Sequence, residues 1–266
     1  MASTLISYIL PFYRKFDWLS VVFPRNRCFY TEQAEVVLVL DEPTQETEVV
    51  AFVARQAARV RVLVNDTDHP WRPPCAALNV GLRWALGRYV VVLSPETYVL
   101  GEPDYLDYRV QDLAEHDILL GKMWQGVGIT PQHTLAEIYR YVQAQPYSSD
   151  VYGFICGARQ QLMAAGGYDE KRTRYGGDDD DLRCRLLAQG ANWVNDPLIQ
   201  VLHPYHPSVC REAPRESWGS LDLNFSSAGR SFDRIAFDYA HVAQLAEHRA
   251  SNANVAGSLP VVCSTL

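Results

Sequence analysis

The chain has few lysines and no strongly basic character, which excludes several classes of partner. It has 266 residues with 24 lysines and arginines, but its only lysines are Lys15, Lys122 and Lys171. We attribute the scarcity of lysine to codon bias before function. With a net charge of −7 and a pI near 5.5, the chain is not expected to bind nucleic acid or an anionic membrane surface.

The chain also lacks long apolar runs and closely spaced cysteines. No apolar run reaches the roughly 18 to 20 residues that a membrane span needs, and the start of the chain lacks the charged segment of a signal peptide. The six cysteines include no CxxC pair. This spacing predicts a reduced cytosolic protein with buried thiols rather than a disulfide framework.

The first hundred residues alternate between apolar runs and amphipathic segments. The runs predict strands over residues 4–10, 35–40, 60–64 and 88–93, with helices between them. Pro11 is expected to end the first strand, and Gly87 the third helix. Continuous apolar strands that alternate with helices predict an α/β domain with a mostly parallel sheet covered on both faces.

The second half is less regular. We predict short strands near residues 116–120, 152–156, 193–194 and 199–202, and helices near residues 135–142 and 158–165. Residues 204–230 are rich in Pro, Ser, Arg and Gly and are expected to form a long loop. Apolar residues from Phe232 to Leu245 recur at helical spacing, which predicts a C-terminal helix over 231–250 before a flexible tail over 251–266.

Polar residues follow the predicted strands of the first half. Tyr13, Asp41 with Glu42, and Asn65 come directly after apolar runs, and Glu96 follows the fourth run after Ser94 and Pro95. In open parallel sheets, ligands bind beyond the carboxyl ends of the strands. This distribution therefore predicts a ligand site at one edge of the sheet.

Four consecutive carboxylates, Asp178 to Asp181, follow the pair Gly176-Gly177. The start of a helix favours one or two acidic residues, because its N–H groups and dipole attract negative charge. It does not account for four acids behind two glycines, which permit positive φ and close approach of a ligand. The motif predicts a helix start that faces a positive group or a proton donor.

Several segments together resemble inverting GT-A glycosyltransferases of family 2. The resemblance lies in segments 10–14 (LPFYR), 40–42 (LDE), 78–81 (LNVG), 166–170 (GGYDE) and 176–182 (GGDDDDL). The last segment is also similar to a motif of β-galactosyltransferases. Ser94-Pro95-Glu96 stands where the family has its metal-binding Asp-x-Asp, so this chain departs from the pattern at the first two of those positions.

The resemblance implies a GT-A fold, with a single catalytic domain over residues 1–230. Residues 1–100 would form the nucleotide-sugar half and residues 101–230 the acceptor half. The implied activity is metal-assisted inverting transfer of a hexose from a nucleotide-diphosphate sugar, with UDP-sugars favoured, to a hydroxyl of a saccharide. The implied cofactor is Mn²⁺ or Mg²⁺, and the implied role is polysaccharide biosynthesis in the bacterial cytoplasm, with the inner face of the membrane as an alternative location.

The same resemblance implies roles for individual residues. Asp179 aligns with the catalytic base, and Asp178 would hold the acceptor hydroxyls. Glu96 would bind the metal together with His203, which we favour, or His206. The expected substrate contacts are Pro11, Tyr13, Asp41, Glu42, Asn65, Asn79, Asp181 and Trp124. Asp181 could instead cap the helix or orient Asp179 or an arginine, and Trp124 could instead pack in the core.

Three other interpretations stay open. A degenerate GT-A domain that binds a nucleotide sugar or glycan without turnover is favoured by Ser94 and Pro95. A retaining GT-A enzyme is a second alternative, although carboxylates suited to deprotonation fit inversion better. A sugar-1-phosphate nucleotidyltransferase is disfavoured, because its early glycine-rich phosphate loop has no counterpart in residues 11–30, which contain no glycine.

Overall fold

Strands and helices alternate along most of the chain, as the apolar pattern predicts. The structure is a computed structural model that describes residues 4–65, 73–145, 154–172, 176–205 and 234–239. Its strands are β1 (Ile6–Phe12), β2 (Ala34–Leu40), β3 (Val60–Val64), β4 (Tyr89–Val92), β5 (Tyr98–Leu100), β6 (Asp117–Gly126), β7 (Ile155–Ala158), β8 (Asn192–Pro204) and β9 (Arg234–Asp238). Its α-helices are α1 (Phe16–Arg25), α2 (Glu46–Val53), α3 (Cys75–Trp84), α4 (Tyr105–Arg109), α5 (Leu135–Ala144), α6 (Arg159–Ala164) and α7 (Asp178–Ala188).

The strands form one sheet in the order β5-β8-β6-β7-β4-β1-β2-β3-β9. Strands β1 to β4 run parallel to one another, and β6 and β8 share their direction. Strands β5, β7 and β9 run antiparallel to their neighbours. The predicted α/β architecture with a mostly parallel sheet in a single domain is confirmed.

Helices cover both faces of the sheet because successive strand residues point to opposite sides. On one face, Tyr8 and Leu10 of β1 share a core with Phe23 of α1 and Phe52 of α2. On the other face, Ile9 packs with residues of α3. No described helix has both the length and the apolar character needed to cross a membrane.

Pro11 does not end β1, which continues to Phe12. The carbonyl of Ile9 faces β4 and accepts from Leu93, whereas that of Phe12 faces β2 and accepts from Asp41. Because the two sides alternate along a strand, the nitrogen of Pro11 faces β4, whose pairing with β1 ends at Ile9. The missing N–H thus lies where the pairing with β4 ends, and β1 continues along β2 alone.

Two other expectations need correction. Gly87 does not close α3, which ends at Trp84. Instead Gly87 donates its N–H to Ser7 Oγ at 2.8 Å, so close to β1 that a Cβ would lie 2.6 Å from the Ser7 nitrogen. The two strands expected over 193–202 are one continuous strand, β8, which pairs with β6 on both sides of an irregularity between Asp196 and Gln200.

Residues 234–238 form strand β9 and not part of the predicted C-terminal helix. They pair antiparallel with β3, whose outer edge would otherwise expose unpaired backbone groups. Ion pairs support both ends, with Arg234 contacting Glu46 and Arg61 Nε lying 3.1 Å from Asp238 Oδ2. The sheet thus extends past residue 230, the expected domain boundary. The tail over 251–266 lies outside the described residues.

Candidate functional site

The carboxyl ends of β1, β2, β3 and β4 bring the predicted polar residues to one edge of the sheet, because these strands are parallel. Helix α3 runs back from this edge, so its first residue, Cys75, also lies there. The carboxyl ends of β6 and β8 point the same way. The site therefore consists of loops that follow strands, as in other parallel α/β sheets.

Glu96 is the centre of a small charged cluster at this edge. Its side chain is fully buried, and one oxygen, Oε1, contacts both the ammonium of Lys15 and Nε2 of His203, the latter at 3.2 Å. The register of β5 with β8 explains the second contact, because Tyr98 pairs with Leu202 and so places the residues just beyond them side by side. We call Lys15, Glu96 and His203 the Glu96 cluster.

The structure brings together the favoured pair of expected metal ligands. Glu96 and His203 are neighbours, whereas His206 lies outside the described residues. Within the described part of the chain, no group of three or more His, Cys, Asp or Glu side chains could hold a metal ion. Ser94 supplies no carboxylate, and the ammonium of Lys15 contacts Oε1 of Glu96. Glu96 and His203 could thus bind a divalent ion only with the ammonium of Lys15 beside it.

A tight turn carries Tyr13, Arg14 and Lys15 from β1 into the site. Arg14 has a φ of +52°, an uncommon conformation for a residue with a side chain. Its guanidinium lies 5.0 Å from the centre of the Tyr13 ring, and its Nε lies 3.3 Å from Glu42 Oε1. Strained conformations of this kind often occur at ligand sites, and this one directs Lys15 towards Glu96.

Glu42 is buried and takes part in the turn that follows β2. It accepts hydrogen bonds from the backbone N–H of Thr44 at 3.0 Å and from the Thr44 hydroxyl. Burial alone would raise the pKa of Glu42, but the bonds from Thr44 and Arg14 outweigh it and hold the pKa below its ordinary value. Glu42 is therefore kept ionised at neutral pH.

Asp41 and Asn65 meet at the ends of β2 and β3. Asn65 Nδ2 donates to Asp41 Oδ1 at 3.2 Å, and both side chains are buried. Pro11 and Tyr13 are half-buried at the end of the neighbouring strand. These four expected donor contacts thus lie at the ends of three adjacent strands.

The acidic motif begins helix α7, as predicted. Gly176 and Gly177 have φ values of +91° and +79°, and α7 starts at Asp178. The carboxylate of Asp178 accepts hydrogen bonds from the first backbone N–H groups of the helix, which lower its pKa, as does the charge of Arg172. The loss of solvent around Asp178 is the larger effect and raises its pKa overall.

Asp179 has the most perturbed carboxyl group of the motif. The surrounding protein, followed by the charges of Asp178 and Asp180, raises the pKa of Asp179 well above its ordinary value. Its side chain is nevertheless exposed, so solvent reduces this shift. An exposed carboxylate that is flanked by other acids and has a raised pKa is suited to accept a proton.

Cys75 and Tyr168 connect the acidic motif to the edge of the sheet. Burial raises the pKa of both side chains well above the usual values, and the charges of Asp178 and Asp179 add to the effect. Since Cys75 is the first residue of α3, these acids lie near the carboxyl edge of the sheet. Sequence reasoning missed both residues, because a buried thiol and a buried phenol carry no motif.

Two of the expected substrate contacts brace the structure around the acidic motif. Asn79 is buried, accepts from the Tyr168 N–H at 2.7 Å and donates to the Tyr168 carbonyl at 2.7 Å and to Glu170 Oε1 at 2.9 Å. Asp181 is buried and binds Arg185, which also donates to the Ala165 carbonyl. For Asp181 the contact with an arginine is the alternative that the sequence left open, and substrate binding by either residue stays a prediction.

Trp124 adopts the arrangement that the sequence left open as its alternative. It is half-buried near the end of β6 and packs against a hydrophobic cluster that includes Tyr98 and Leu202. Core packing therefore accounts for this tryptophan without a sugar.

Comparisons with solved structures identify the fold. Over 76% of this chain and 61% of the other, it superposes on TarS of S. aureus, crystallised with UDP, with a TM-score of 0.55 and 19% identity. TarS crystallised with UDP-GlcNAc gives 0.54 and 18% over 80% and 62% of the two chains. GalNAc-T7, crystallised with UDP, GalNAc and Mn²⁺, gives 0.52 and 14% over 76% and 44%.

These similarities show that the chain has the GT-A fold. The chain spans about three fifths of the TarS structures and less than half of GalNAc-T7. No protein-family model and no curated protein matches the sequence.

Proposed function

We propose that this GT-A domain transfers a sugar from a nucleotide-diphosphate sugar to a hydroxyl group of a saccharide acceptor, with inversion at the anomeric carbon. The observation that carries the proposal is the pair of the half-buried Asp178 and the exposed Asp179 at the start of α7, beside the carboxyl edge of the sheet. Two of the superposed proteins were crystallised with UDP or a UDP-sugar, which supports UDP as the nucleotide.

In the proposed reaction Asp179 is the general base. The acceptor oxygen forms a bond to the anomeric carbon while its proton passes to the Asp179 carboxylate. The bond between the anomeric carbon and the diphosphate breaks, and its electron pair leaves on the diphosphate oxygen. A carboxylate whose pKa is raised towards the working pH is a stronger base than an ordinary one, and still ionised enough to act. Asp178 positions the acceptor hydroxyl.

The nucleoside would lie on the strand ends that carry Tyr13, Asp41 and Asn65. The ring of Tyr13 can stack on a base, and the carboxylate of Asp41 can accept hydrogen bonds from ribose hydroxyls. We expect the reaction to take place in the cytoplasm, where activated sugars occur. The negative charge on the leaving diphosphate must be offset by a divalent ion or by fixed cations.

The variant Asp179→Asn tests this proposal. We expect turnover to fall about 10²- to 10⁴-fold, the usual contribution of a general base, with little change in UDP affinity measured by calorimetry. Asp180→Asn is the matched control, since it removes a neighbouring carboxylate of the same motif and should keep most of the activity. Equal loss of binding and turnover in Asp179→Asn would contradict the role of base.

A second candidate function is binding of a nucleotide sugar without turnover. It is favoured by Ser94 and Pro95, which replace two positions of the Asp-x-Asp motif. UDP binding by the wild-type chain without product from any nucleotide sugar and acceptor would support this alternative. A product that keeps the donor's anomeric configuration, seen by NMR, would instead indicate a retaining enzyme.

A further inference from the structure

Lys15 occupies an unusual position for a lysine. It is the residue that precedes α1, where the helix dipole presents partial positive charge and disfavours a cation. It is also one of only three lysines in the chain. Its ammonium contacts the fully buried carboxylate of Glu96, which compensates for the unfavourable position. Codon bias accounts for the small number of lysines, but it does not explain why a lysine stands at position 15.

The Glu96 cluster stands at the end of β4, where a metal-binding Asp-x-Asp would lie. A divalent ion on Glu96 would lie beside the ammonium of Lys15 and the imidazole of His203, which both contact Oε1, His203 at 3.2 Å. It would also be repelled by the ammonium, because like charges a few ångströms apart interact unfavourably. Ser94 offers a hydroxyl where a second carboxylate would be needed.

The chemistry of an ammonium fits the task that a metal would otherwise perform. Lysine carries a compact point charge with three N–H donors, and compact cations of this kind are common partners of phosphates. Contact with Glu96 orients the ammonium and is compatible with further donation to phosphate oxygens. The turn at Arg14 fixes the direction of the Lys15 side chain, because the φ of +52° at Arg14 brings the chain round towards Glu96.

We propose that Lys15, oriented by Glu96, replaces the divalent ion in this site. Its ammonium donates to the diphosphate oxygen that receives the electron pair when the sugar leaves, so the nucleotide binds without metal. This inference rests on the proposed function, since it concerns the same donor. Glu96 is accordingly a positioning residue that acts through Lys15 rather than a metal ligand.

Calorimetry with UDP and, in parallel, GDP tests the inference on the full chain. We expect one of the two nucleotides to bind in excess EDTA with an affinity within about threefold of that in Mn²⁺. Lys15→Met should weaken this binding about tenfold or more, the usual cost of losing a hydrogen bond to a charged group. Lys122→Met, a lysine on β6, is the matched control and should leave binding unchanged.

A second variant guards against misfolding, because Lys15→Met leaves the buried Glu96 carboxylate without its ammonium partner. The double variant Lys15→Met/Glu96→Gln removes both charges of the pair. It should unfold in a single transition like the wild type, and its nucleotide affinity should be as low as that of Lys15→Met. Wild-type affinity in this folded double variant would overturn the role of Lys15.

Titration with Mn²⁺ alone, followed by electron paramagnetic resonance, provides a measurement independent of activity. We expect no stoichiometric Mn²⁺ binding by the wild type. Nucleotide binding that needs Mn²⁺, or tight binding of Mn²⁺ alone, would overturn the inference and leave the proposed function intact. Absence of nucleotide binding both with EDTA and with Mn²⁺ would contradict the proposed function itself.

Discussion

Gly167 supports the turn that leads to the acidic motif, and its replacement by alanine should be strongly destabilising. Gly167 has a φ of +67°, and a Cβ built on it would lie 2.2 Å from Asn79 Oδ1. That amide oxygen accepts from the Tyr168 N–H, while Nδ2 of the same residue donates to the Tyr168 carbonyl and to Glu170. Gly167→Ala must therefore displace the buried Asn79 side chain.

The expected loss has two parts. A left-handed conformation costs an alanine about 1–2 kcal/mol. Displacing the Asn79 amide disturbs three hydrogen bonds, each contributing about 1 kcal/mol. The free energy of unfolding should thus fall by about 4–5 kcal/mol, a large part of the roughly 5–15 kcal/mol that is typical of a folded protein.

Urea unfolding with a matched control separates the two parts. Gly190 also has a positive φ, +84°, but a Cβ built there has no neighbour within 4 Å. Gly190→Ala should therefore cost only the conformational part, about 1–2 kcal/mol. If Gly167→Ala and Gly190→Ala lower the free energy of unfolding equally, then Asn79 is not the brace that the structure indicates.

Further predictions concern the charged groups. The folded-state pKa of Asp179 is raised, so the stabilising contribution of its carboxyl group is present below the unfolded pKa and is lost as pH rises through the folded pKa. Asp179→Asn should therefore raise the melting temperature at pH 7, where the carboxylate is unfavourable, and change it less at pH 4. The pKa of Glu42 is lowered, so its contribution is present above its ordinary pKa and disappears as pH falls; the melting temperature of Glu42→Gln should fall at pH 7 and approach that of the wild type in acid. Asp181→Asn should cost about 3–5 kcal/mol in urea unfolding, because Arg185 stays buried without its partner, whereas Asp181→Leu/Arg185→Met should cost less than the two single changes together.

Sequence reasoning identified the first half of the fold because its signals are local. The run from Val60 to Val64 predicts both ends of β3 correctly. Its five buried residues are apolar or, for Arg61, amphipathic, and such a short run favours a strand over other local structure. Sequence reasoning predicted a helix where β9 forms. Residues 234–238 form a strand because they pair with the edge of β3, which is distant in sequence. Sequence reasoning also shortened β8, whose partner β6 was predicted only in part.

The candidate site was predictable where a residue follows a strand or begins a helix. Asp41, Glu96 and Asp179 lie at the edge of the sheet or beside it for that reason. Lys15 was not predicted, because its direction depends on the positive φ of Arg14. The bracing contacts of Asn79 with Tyr168 and Glu170 were not predicted, because a polar residue in a family motif can support a turn as well as bind a ligand.

A crystal structure of the full chain with UDP in the absence of divalent metal tests the central claim most directly. The account predicts the nucleoside beside Tyr13 and Asp41, and a diphosphate oxygen about 3 Å from the ammonium of Lys15. The open end of the diphosphate should face the carboxylate of Asp179. UDP bound at another surface, or bound here with Asp179 on the far side of the protein, would contradict the account.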